Sequence, residues 1–93
     1  MERRHEDMLT AKLEEAAAEG HVLLLRSELY QWYGVKKFAD GSRRDLANRW
    51  DEAVAAAKQV QPSYKDPGKL MMIEHNSSVL LFGEKWSESV RPN

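Results

Sequence analysis

The chain contains no cysteine, which excludes disulfide bridges and thiolate metal sites outright. Its runs of large apolar side chains, such as Val22 to Leu25, are far too short to cross a bilayer. The opening Met1-Glu-Arg-Arg-His-Glu-Asp has neither an apolar signal core nor a cleavage pattern, so a cytoplasmic location is expected, with no membrane partner. The three histidines, His5, His21 and His75, are scattered and lack the spacing of a metal-ligand set. Glycine-rich phosphate loops and nucleophile elbows are missing as well. The paired acids Glu14-Glu15 belong to the solvent face of a helix rather than to a catalytic dyad. A domain of 93 residues also leaves little room for a buried substrate pocket, so neither an enzyme nor a cofactor is expected.

What is present describes a folded chain. Apolar residues at 42% and charged residues at 31% are the balance of an ordinary globular domain with one modest core. Residues 1–7 and 87–93 are expected as tails flanking a single domain over 8–86. The net charge of −1 makes no global case for a nucleic-acid partner, but the charge is unevenly distributed. Residues 1–20 carry three basic and six acidic side chains, whereas residues 21–49 carry six basic and three acidic. A near-neutral protein can therefore present a local basic face, or the segment is simply a solvated helix surface.

Leu9, Leu13, Ala16 and Ala17 recur at helical spacing, which predicts a first helix over about 8–20 with Gly20 as its stop. The run His21 to Leu25 fits either a short strand or the start of a helix. Ser27 is placed to cap a second helix whose apolar face is Leu29, Trp32 and Tyr33, closed by Gly34. Tyr30 and Trp32 cannot both face one interior, so one of them is expected to be partly exposed. Val35 to Gly41 is a polar connection. Ser42 and Asp45 then approximate a capping box ahead of a third helix reaching about Val60, with Leu46, Trp50, Ala53, Val54 and Ala57 as its apolar stripe. Gln61 to Gly68 is a proline-bearing loop. Leu70–Ile73 and Val79–Phe82 are strand-like runs separated by Glu74-His75-Asn76-Ser77-Ser78, the chemistry of a hairpin turn.

The order helix, short run, helix, loop, helix, hairpin resembles the winged helix-turn-helix superfamily over roughly residues 8–86. Leu29-Tyr30-Gln31-Trp32-Tyr33-Gly34-Val35 is similar to the second helix and turn of that motif, with a left-handed glycine followed by an apolar residue that packs back. Tyr30 departs from the alanine the motif prefers, and the loop Lys36 to Gly41 is longer than its usual turn. The implied fold is α+β: a small winged helix-turn-helix with three helices, a short strand and a C-terminal β-hairpin wing.

The resemblance implies a small sequence-specific DNA-binding protein, a transcriptional regulator or a plasmid- or phage-type accessory factor, that places its third helix in the major groove. Opposite the apolar stripe stand Arg44 and Asn48, four residues apart. Their side chains suit guanine and adenine edges, and they are the expected base-contacting residues. Lys36, Lys37, Arg43, Arg49, Lys69 and Asn76 are the expected backbone contacts. Double-stranded DNA is the expected partner, read best by a homodimer. The alternative is a winged-helix module that binds a protein partner, such as a phage-type inhibitor, and leaves DNA alone.

Overall fold

The first helix starts well before its apolar stripe. In the computed structural model, which describes residues 1–86, α1 spans Arg3–Glu19 and buries Leu9, Leu13, Ala16 and Ala17 on one face. Residues 3–7, expected as tail, are therefore helical: the Glu6 amide donates to the Glu2 carbonyl at 2.9 Å, and Arg49 reaches Glu6 at 3.5 Å. The tail expected over 87–93 lies outside the described residues. Gly20 ends the helix at φ 95°, its amide bonded to the Ala16 carbonyl at 2.7 Å.

The ambiguous run that follows is a strand. In β1 (His21–Leu25), Val22 and Leu24 point into the core while His21, Leu23 and Leu25 face out. This period of two is what a half-buried strand needs. The second helix, α2 (Arg26–Tyr33), corrects the expected cap, because Ser27 lies inside the helix and no side chain caps it. The Arg26 amide instead donates to the Ser77 carbonyl at 2.8 Å, so a distant turn does the work of a local cap. The helix closes as expected: Gly34 sits at φ 65°, with Gly34 N–H bonded to Gln31 and Val35 N–H to Tyr30, both at 3.0 Å.

The third helix, α3 (Asp40–Val60), begins two residues before Ser42, which overturns the expected capping box. Ala39 is at the cap position and contributes no side-chain bond. What positions this terminus is Phe38, buried against Tyr30 at 5.6 Å and edge-on to Tyr33 at 5.1 Å. The stripe beneath is as expected: Leu46, Trp50 and Val54 are buried in one cluster with Leu13 and Leu29. Trp50 is 1% exposed, and its indole N–H donates to the Gly68 carbonyl at 3.0 Å, which ties the helix to the hairpin's entry loop.

Strands β2 (Leu70–His75) and β3 (Ser78–Gly83) form the expected hairpin and extend it at both ends. The five-residue loop expected over 74–78 tightens to Asn76-Ser77, with Asn76 at φ 53°. Asparagine tolerates that left-handed conformation better than most side chains. The sheet order is β1-β3-β2, antiparallel throughout, so the hairpin's second strand also pairs with β1. A single 3-10 turn, Glu84–Trp86, follows. Helix α1 packs on α3 and on strands β1 and β3. The molecule is thus a small α+β domain of three helices and a three-stranded antiparallel sheet.

Candidate nucleic-acid interface

The basic segment found in the sequence gathers where the Phe38 loop enters α3. Lys36 and Lys37 immediately precede the buried Phe38 and are themselves exposed, as are Arg43 and Arg44 in the first turns of the helix. Asn48 is exposed one turn beyond Arg44. Among the described residues no ion pair engages Lys36, Lys37, Arg43 or Arg44, whereas Arg4, Lys12, Arg49 and Lys58 each have an acidic partner. Two acids lie close in sequence to this set, and they behave differently. Asp40 is exposed in the first turn. Asp45 is turned toward the helix junction.

There the Tyr33 hydroxyl donates to Asp45 Oδ2 at 2.8 Å, and Arg49 Nε donates to the same oxygen at 2.7 Å. Burial alone would raise the pKa of Asp45, but the hydrogen bonds from Arg49 and Tyr33 outweigh it and hold the carboxyl below its ordinary value. Tyr33 is pushed well above the usual tyrosine range, first by burial and then by the neighbouring Asp45. The Asp45 hydrogen bond raises Arg49 further still. The acid inside the basic segment is thereby paired with the protein's own arginine, and Asp40 is the other acid close in sequence to Lys36, Lys37, Arg43 and Arg44. The pairing also commits Arg49, expected as a phosphate contact, to a junction between α3 and Glu6 of α1.

The hairpin tip is more basic than its own sequence. Asn76, expected to reach a nucleic-acid backbone, is exposed at the turn, and its carbonyl accepts a 3.0 Å hydrogen bond from the Arg26 guanidinium. The same guanidinium lies 5.4 Å from the centre of the Tyr30 ring. Tyr30 stacks on Phe38 and donates its hydroxyl to Glu74 at 3.1 Å. A continuous path therefore runs from the tip through Arg26, Tyr30 and Phe38 to the start of α3. Sequence reasoning missed Arg26 because it lies fifty positions from the turn it serves. The one available signal was its place at a strand-to-helix junction. Lys69 falls elsewhere. It is exposed at the foot of the hairpin, where it shares a cleft with Asp51, Lys58 and Asp66.

The sequence matches no protein-family model, no curated protein and no solved structure. The geometry therefore carries the functional argument. Among the described residues, no group of histidine and acidic side chains could hold a metal ion. No described helix is long and apolar enough to cross a membrane.

Proposed function

We propose that this chain is a winged-helix DNA-binding protein that inserts the N-terminal half of α3 into the major groove. The single observation that carries the reading is the clustering of four exposed cations, Lys36, Lys37, Arg43 and Arg44, at the loop and first turns of that helix, none of them in an ion pair among the described residues. The element order and the β1-β3-β2 sheet support it, since in winged helices a short strand after the first helix pairs with the base of the hairpin. On this reading Arg44 and Asn48 address base edges, the former as a two-donor fork for guanine. Lys36, Lys37, Arg43 and, at the wing, Arg26 lie against phosphates and fix the register. Arg49 and Lys69 drop out of the contact set, the first because it is paired and the second because it sits apart.

The test is a fluorescence-anisotropy titration of labelled duplexes, random and genomic, at several salt concentrations. Four phosphate contacts should give a slope of log K against log salt of about −3 to −4. A wild-type protein that fails to bind any duplex at low salt would sink this reading.

A second reading, a protein-interaction module, has its own observation. Between the C-terminal ends of α1 and α3 runs a groove lined by Ala17, Ala18, Ala53, Ala56 and Ala57, with Val60, 87% exposed, at its end. The acidic side chains Glu14, Asp51 and Glu52 on these helices suit a partner other than nucleic acid. Affinity capture with Val60→Glu as the negative control separates the two readings.

A further inference from the structure

The sheet buries one face under the helices and presents an almost equally apolar face to water. Its register builds three cross-strand rows on that outer side: His21–Phe82–Met71, Leu23–Leu80–Ile73 and Leu25–Ser78–His75. Leu23 is 64% exposed, Leu25 52%, Ile73 53% and Met71 38%. Trp86 extends the patch beyond the first row, its ring 4.5 Å from His21 and 6.0 Å from Phe82. No acid, lysine or arginine stands in these rows. Most of the large apolar side chains that the described residues leave in solvent are here, on the one surface where a half-buried antiparallel sheet ordinarily turns polar.

We infer that this face docks against the same face of a second copy of the chain, making an isologous sheet-on-sheet dimer. The inference does not rest on the DNA reading. The first argument is size. The exposed side chains leave on the order of 500 Å² of apolar surface in water, so two faces together bury about 1,000 Å², the threshold of a specific interface. The second argument is self-complementarity. A two-fold axis relating two packed faces lies in the plane between them. Run along β3, it sets His21 over the partner's Met71 and His75 over the partner's Leu25. Run across the strands, it sets His21 over the partner's Leu25 and His75 over the partner's Met71. Because the two histidines occupy opposite corners of the nine-residue grid, neither arrangement sets histidine over histidine. A face with no charge in its rows also offers nothing to select an unlike, charged partner. Lys36, Lys37, Arg43 and Arg44 belong to the loop before α3 and to α3 itself, not to the three rows of this face.

Sedimentation equilibrium across the micromolar range tests the proposal on the full chain. The wild type should approach twice its monomer mass of 10.7 kDa as concentration rises. Leu23→Lys and Ile73→Lys, made separately, should each return the mass to the monomer value. Both side chains already lie in water, so far-UV circular dichroism and the melting temperature at low concentration should stay near wild type. Val60→Lys, at an exposed apolar position away from the sheet, should remain dimeric. A wild type that sediments as a monomer throughout overturns the inference. So does a dimer that survives both sheet substitutions, or one that Val60→Lys dissociates. Because these measurements contain no DNA, their outcome is independent of the titrations that test nucleic-acid binding.

Discussion

The Tyr33 hydroxyl donates to the Asp45 carboxylate at 2.8 Å, joining the last residue of α2 to the first turns of α3. The carboxyl is held below its ordinary value, so its contribution to stability is present above the unfolded-state value, about 4, and is lost as pH falls through the lower folded value. Asp45→Asn should therefore melt below wild type at pH 7, and the gap should be narrower at pH 3, below the unfolded-state value. Thermal denaturation at the two pH values checks this. A gap that is as wide at pH 3 would show that the charge of Asp45 is irrelevant.

Trp50 combines volume with a polar tether. Trp50→Ala should cost about 3–5 kcal/mol, the range for emptying a buried aromatic site. Trp50→Phe keeps most of the packing but strands the Gly68 carbonyl, and should cost about 1–3 kcal/mol more than packing loss alone implies. Urea denaturation of both variants gives the two numbers. A barely destabilised Trp50→Ala would mean that the α3 face assignment is wrong.

If α3 reads DNA, its residues must fail in different ways. Arg44→Ala should cost about 1–3 kcal/mol and relax preference at a single base position. Lys37→Ala and Arg26→Ala should weaken all sequences nearly alike and each lower the salt slope by about one. The contrast is geometric: Arg44 projects from the exposed helix face, whereas the other two stand beside it. Titrations against a panel of single-base variants, repeated at two salt concentrations, resolve the two patterns.

Two glycines should respond to alanine with opposite signs. Gly20 sits at φ 95°, and a Cβ there would run into the Trp86 ring. Gly20→Ala should therefore destabilise by more than about 1 kcal/mol. Gly41 lies in α3 with open space around it, and Gly41→Ala should stabilise by roughly 0.4–1 kcal/mol. Chemical denaturation midpoints of the pair decide the matter. A stabilising Gly20→Ala would refute the close packing of Trp86 over the strand entrance.

Periodicity made most of the fold legible. Leu9, Leu13, Ala16 and Ala17, and likewise Leu46, Trp50 and Val54, lie where their spacing puts them, and the two apolar runs of the hairpin pair as expected. What the sequence hid was contact between distant positions. Phe38 is one aromatic in an aperiodic stretch, so no period marked it as buried. Ser27 and Ser42 had the chemistry of caps, but the Ser77 carbonyl and the Phe38 anchor took over those roles. The same holds for the candidate site. The wheel puts Arg44 and Asn48 on the exposed face, where they lie, but no spacing could show that Arg49 pairs with Glu6 of α1 or that Arg26 reaches the hairpin turn. The outer face of the sheet escaped notice because residues two apart in each strand mean little until the register aligns them.

The strand order has a consequence for how the chain reaches this structure. Strand β3, which sits between the other two, follows both of them in sequence, and its register joins His21 to Phe82. During synthesis β1 and β2 therefore emerge with no neighbour to hydrogen-bond, and the sheet cannot begin to form until β3 leaves the ribosome. The β2–β3 hairpin then closes across a two-residue turn, but pairing of β1 with β3 requires loop closure across most of the chain, which slows folding relative to a helical bundle of the same size. A nascent chain arrested before Ser78 should consequently expose its apolar segments to chaperones, and release of the final strand should complete the fold in one cooperative step.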